Sequence, residues 1–164
     1  MTKIILGLDP GIADTGFGLI KSENNRLTCL TYGSIKTKAN QDLPSRLMIL
    51  HQELNQIIKK FRPQVAAVEQ LFFNTNAKTA LIVGQARGVA LLTLMENNLP
   101  IYEYTPAQVK QAVSAYGKAS KMQVQKMVKL ILGLEELPYP DDAADALAVA
   151  ICSLNTNLCL REKN

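Results

Sequence analysis

Between Pro63 and Gln70 the chain carries Val65-Ala66-Ala67-Val68, four apolar residues in an unbroken run that ends in Glu69. A strand with one wet face alternates in polarity, whereas a continuous short run suits a strand buried on both faces of a sheet. The rest of the chain must therefore supply cover for both sides. Upstream, Lys3 to Leu8 reads as a strand closed by Asp9-Pro10-Gly11, Gly16 to Lys21 as a second, and Arg26 to Thr37 as a third. Asn24-Asn25 is the hairpin signal between the last two. Leu47, Leu50, Leu54, Ile57 and Phe61 step by three and four residues, which places them on one helical face before Pro63.

A long helix is expected from about Asn76 to Glu96, then a strand from Pro100 to Tyr104. Thr105-Pro106 opens the next helix, with threonine as N-cap and proline at the first helical position. Ser120 caps another, and the last begins at Asp141-Asp142 and runs to about Leu154. The order predicts an α/β fold in one domain, a five-stranded mixed sheet flanked by helices. On the long helix, Ala80, Gly84 and Gly88 recur every four residues and share a face. Each helical glycine costs roughly 1 kcal/mol relative to alanine, so the stripe calls for a close neighbour: the sheet or a second subunit.

At 164 residues, 48% hydrophobic and 20% charged, the chain can bury a core and is not of the disordered class. No apolar run is expected to reach the roughly 20 residues that span a bilayer. The opening Met1-Thr2-Lys3-Ile4-Ile5-Leu6 reads as a strand rather than a signal peptide. Cys29, Cys152 and Cys159 are odd in number and lack ligand spacing, which points to a reducing cytoplasm and away from structural zinc. Eighteen Lys and Arg against 14 acids give only +4, but the distribution says more. From Tyr104 to Leu134 there is no Asp or Glu, while Lys110, Lys118, Lys121, Lys126 and Lys129 all fall there. A one-signed stretch of this kind is either a solvated face or a nucleic-acid footprint.

Asp9 and Glu69 each close a strand, and Asp142 and Asp145 sit three apart on one face of the last helix. If the first and fourth strands are parallel neighbours, Asp9 and Glu69 leave the sheet at one edge, where ligand sites of such sheets gather. Singly, these acids also read as turn residue or helix cap. Together they suit magnesium, a hard cation that takes carboxylate and phosphate oxygens. Two such ions about 3.5–4 Å apart are a recurrent device for phosphodiester cleavage. That chemistry needs no protein general base, and the sole histidine, His51, lies mid-helix. Asp141 and Asp142 are both one turn from Asp145, and spacing does not separate them.

The ordered set Leu6-Gly7-Leu8-Asp9-Pro10-Gly11 with Thr15-Gly16, Leu43-Pro44-Ser45-Arg46-Leu47, Val68-Glu69-Gln70, Gly84-Gln85-Ala86-Arg87-Gly88-Val89, Gln108-Val109-Lys110-Gln111 and Asp142-Ala143-Ala144-Asp145-Ala146-Leu147-Ala148 resembles the bacterial RuvC family of Holliday-junction resolvases. The resemblance spans roughly residues 3 to 153. It implies a ribonuclease-H-like fold and a homodimer acting on four-way junction DNA in recombination and repair. It also implies Mg²⁺-dependent paired nicks in opposing strands that leave 5′-phosphate ends. The family's catalytic, metal-holding acids fall on Asp9, Glu69, Asp142 and Asp145, which selects Asp142 over Asp141. Two Mg²⁺ per subunit are implied, with Mn²⁺ as substitute.

Phe72 matches a DNA-engaging aromatic of the family, and Lys110 and Lys121 match its basic residues near the scissile phosphate. Lys78 and Arg87 are candidate backbone contacts or structural, and Asp14 is expected to be a loop residue. A branch-migration complex of the RuvAB type is the implied partner, and no membrane is. Rival readings are an actin-like or sugar-kinase-type ATPase, which opens with a similar strand and turn but needs two domains, a binding protein without catalysis, and a nuclease for another branched DNA or RNA.

Overall fold

The computed structural model describes residues 2–24, 26–71 and 77–161, with 77–78 and 156–161 described by backbone alone. Its elements run β1 (Lys3–Asp9), β2 (Asp14–Glu23), β3 (Arg26–Lys36), α1 (Leu43–Phe61), β4 (Val65–Glu69), α2 (Ala77–Glu96), β5 (Ile101–Tyr104), α3 (Pro106–Ser114), α4 (Lys121–Leu132) and α5 (Asp141–Arg161). The strands form one sheet in the order β3-β2-β1-β4-β5. β1 is antiparallel to β2 and parallel to β4, and β4 is parallel to β5. This is the mixed sheet that the element order predicts.

Period-two alternation sorts the two faces. Leu6, Leu8, Ala66 and Val68 pack with Leu50, Leu54 and Ile58 of α1 and with Ala86, Ala90 and Leu94 of α2. Ile5, Val65 and Ala67 pack on the other side with α3, α4 and α5. The unbroken apolar run of β4 is thus explained: all of Val65 to Val68 is buried, half under each helical layer.

α5 is the central helix of its layer, and its residues from Ala146 to Cys152 are all buried. It lies unusually close to the sheet because three strand glycines leave room. A Cβ on Gly7 would meet the Ala146 carbonyl oxygen at 2.0 Å, one on Gly16 the Asp142 carbonyl oxygen at 2.0 Å, and one on Gly18 the Leu147 side chain at 2.7 Å. Gly7 and Gly18 face each other across β1 and β2, and Gly16 faces Asp9. Glycine inside a strand commonly marks such an approach.

Three expectations change. α5 continues to Arg161, beyond Leu154, because no breaker intervenes. Asp14 is not a loop residue; it opens β2 and accepts a hydrogen bond from Ser34 Oγ (3.0 Å). Thr79–Glu96 of α2 is long and apolar enough to cross a membrane by length and composition, with a mean hydropathy of 1.2 over 18 residues. One side of that helix lies on the sheet through Ala86, Ala90 and Leu94. The other side exposes Leu81, Leu92 and Met95.

Candidate active site

The pairing of Leu8 with Val68 in parallel β1 and β4 makes Asp9 and Glu69 the next residues on adjacent strands. By strand alternation both point to the side occupied by α5, as Gly7 and Ala67 do. The Asp9 turn is closed by the buried Thr15, whose hydroxyl donates to the Gly11 carbonyl oxygen (2.5 Å). Beyond Glu69, the Gln70 amide donates to the Tyr104 carbonyl oxygen (2.8 Å), which holds the strand end against β5. α5 begins over this edge, and the Gly16 notch beneath Asp142 lets its first turn come down beside Asp9.

The charges of these acids act on one another. Burial, then the charges of Glu69, Asp145 and Asp142, push the Asp9 carboxyl from 3.8 up to about 8. Burial and the charge of Asp145 push Glu69 from 4.5 up to about 7, against the opposing pull of a hydrogen bond to Asp9 and of Lys110 and Lys121. Asp145 is also raised, mainly by burial. Among the described residues, no three acidic, histidine or cysteine groups as placed surround one point as ion ligands. The donor set nevertheless suits a hard divalent cation: it is all oxygen, partly buried and mutually repelling, and a cation relieves that repulsion.

Lys121, at the first position of α4, is set by the Ser120 capping box. Its ammonium lies 3.3 Å from Asp145 Oδ2 and 3.3 Å from Asp141 Oδ2. Burial alone would lower the Lys121 pKa, but these carboxylates outweigh it and raise it. Lys110, on α3 above buried Val109 and Val113, is close enough for its charge to act on Glu69. The two lysines therefore border the acidic group from two helices.

Asp141 is the first residue of α5, and the Pro140 carbonyl accepts from Ala143 and Ala144. Its carboxylate accepts from Gln125 Nε2 (2.9 Å) and faces Lys121, and both hold its pKa down. Gln125, buried on α4, was not singled out by the sequence; its one signal is an amide on an otherwise apolar helix face.

Arg87 forms an ion pair with Glu103 of β5, which gives it a structural place between α2 and the sheet. His51 lies between α1 and α2, where its Nδ1 meets Thr93 Oγ1 (2.9 Å), on the opposite side of the sheet from the acids. Phe72 and the side chain of Lys78 lie outside the described residues.

The family profile for the crossover junction endodeoxyribonuclease RuvC matches residues 5–153. The chain belongs to the RuvC family. A RuvC crossover junction endodeoxyribonuclease from Alkaliphilus oremlandii is 54% identical over 153 residues, 93% of each chain. The structure of Thermus thermophilus RuvC in complex with a Holliday junction substrate superposes with a TM-score of 0.89 at 34% identity, covering 96% of both chains. The yeast mitochondrial Holliday junction resolvase Ydc2, at 18% identity and a TM-score of 0.64, shares the fold. The sheet order and helix placement are those of a ribonuclease-H-like resolvase.

Proposed function

We propose that this RuvC-family chain resolves four-way DNA junctions as a homodimer, through magnesium-dependent cleavage at Asp9, Glu69, Asp142 and Asp145. The observation that carries the reading is the meeting of two strand-end acids with the first turn of α5. Burial there forces Asp9 and Glu69 far above ordinary carboxylate pKa values. Perturbation of that size concentrates at functional sites. The likeness to a relative solved with a Holliday junction supports the substrate.

The four carboxylates would hold two ions per subunit, and manganese would fit the same oxygen set. When bound, such ions supply a hydroxide nucleophile at neutral pH and neutralise charge on the attacking and leaving oxygens. The chain's own residues do the rest. Lys110 and Lys121 meet the backbone beside the cut and offset the charge that builds on the phosphate. Asp141 and Gln125 hold Lys121 and the α5 start in register. The products would carry 5′-phosphate and 3′-hydroxyl ends.

A four-way junction has approximate two-fold symmetry, and one chain supplies one carboxylate set, so a C2 dimer matches the substrate. α2 supplies a suitable surface. Leu81, Gln85, Gly88, Leu92 and Met95 are exposed at steps of four and three. Among the described residues, a Cβ on Gly84 or Gly88 would meet nothing within 4 Å. The neighbour implied by the glycines is therefore not the sheet. A branch-migration complex of the RuvAB type is the expected cellular partner, in the bacterial cytoplasm.

The test is cleavage of a mobile four-way junction against a linear duplex, with and without Mg²⁺. Paired nicks confined to the junction and dependent on the ion are expected. Equal cutting of the duplex, or full activity under chelation, would refute the reading.

A further inference from the structure

On the flank of α4 away from α5 lies a shallow cavity of about 290 Å³, lined by Ser114, Tyr116, Ala119, Gln123, Lys126 and Met127. At 100° per residue, positions 123, 126 and 127 look away from Lys121 and Gln125, which reach toward α5. The loop that forms its rim is held in shape. Ala115 ends α3 in a left-handed cap with φ 58°, and Ser114 Oγ lies 2.6 Å from the Lys110 carbonyl oxygen and 3.0 Å from that of Tyr116. The Ala119 amide then donates back to the Tyr116 carbonyl (3.1 Å), and Ala119 itself is buried. On this fixed loop the Tyr116 side chain is 60% exposed.

An exposed aromatic residue thus lines a mostly apolar cavity set among cations. Lys118 and Lys126 are both exposed, and the sequence from Tyr104 to Leu134 contains no acid. The occupant that matches is flat, partly apolar and anionic. We propose that this cavity is a nucleotide subsite for the DNA strand flanking the cut, with Tyr116 stacked on a base and Lys126 against its phosphate. The proposal rests on the junction-cleavage reading. Ala119 of the cavity and Lys121 of the site are two residues apart, so their Cα atoms are at most about 7.6 Å apart. At roughly 3.4 Å of rise per nucleotide, a strand lying on Lys121 reaches the cavity within about two.

The test uses the full chain in metal-free buffer with a fluorescent four-way junction. Tyr116→Ala is expected to raise Kd at least about fivefold, the lower end for one stacked base. Tyr116→Phe keeps the ring and stays near wild type. Lys126→Ala weakens binding and lowers the salt slope by about one. A junction carrying 5-iodouracil at each nucleotide flanking the cut should, on irradiation, give an adduct on Tyr116 at one position. Unchanged junction affinity in a folded Tyr116→Ala, as for a protein-docking cavity, overturns the proposal, and so do adducts that map only elsewhere. If the wild-type chain binds duplex and junction alike, the junction reading fails separately, and the adduct alone decides the subsite.

Discussion

Asp9 and Glu69 stand side by side where two buried strands end, and neither has water enough to ionise comfortably. Replacing a carboxylate there with its amide keeps the shape and removes the charge. Asp9→Asn, Glu69→Gln, Asp142→Asn and Asp145→Asn are each expected to cut the cleavage rate by about 10²–10³-fold or more, the scale for losing one electrostatic stabiliser. Junction affinity should persist, and single-turnover kinetics beside a gel-shift titration separates the two. Lys110→Ala and Lys121→Ala should slow cleavage and also weaken binding, with a salt slope smaller by about one. The strand glycines belong to this scale too. Gly7→Ala or Gly16→Ala drives a methyl into the α5 backbone, and overpacking of that kind destabilises by about 1–3 kcal/mol. Chemical denaturation reads the loss, and the Gly16 variant should lose cleavage beyond its loss of stability because the clash falls on Asp142.

Among the elements, α2 offers the clearest separation of folding from assembly. Among the described residues a Cβ on Gly84 or Gly88 meets nothing within 4 Å, and leucine is a better helix former than glycine. Gly84→Leu with Gly88→Leu should therefore fold at least as stably as the parent and sediment at half its mass. An unchanged dimer mass would move the interface elsewhere. The elements themselves were legible because their signals are local: the Thr105 and Ser120 caps, the periodicity of α1, and the continuous run in β4 all appear where expected. What local pattern did not reveal was the sheet order, since the β1–β4 pairing is set by chain-distant residues. Nor did it reveal the seat of α5, which depends on glycines of β1 and β2 acting together across the pairing. Asp141 illustrates the same boundary. Its partners Gln125 and Lys121 come from another helix, and spacing alone could not tell it from Asp142.

For the molecule as a whole, the acidic group makes stability depend on pH. The folded-state values of about 8 and about 7 lie above the ordinary 3.8 and 4.5 of Asp9 and Glu69. Between these limits the folded chain holds more protons than the unfolded one, so stability falls as pH rises from about 4 to about 8. Urea midpoints measured in metal-free buffer should decline over that window, and Asp9→Asn should flatten the decline. Magnesium, which binds the ionised carboxylates, should raise the thermal midpoint more at pH 8 than at pH 5.

The notch that seats α5 has one more effect. Asp142 and Asp145 ride on a helix whose backbone is braced against β1 and β2 without clearance, so half of the acidic group is fastened directly to the sheet. A mount like that does not swivel to meet what arrives. The substrate has to supply the compliance, and a branch point, where base stacking is already broken, can be drawn into such a fixed jaw more cheaply than an intact duplex.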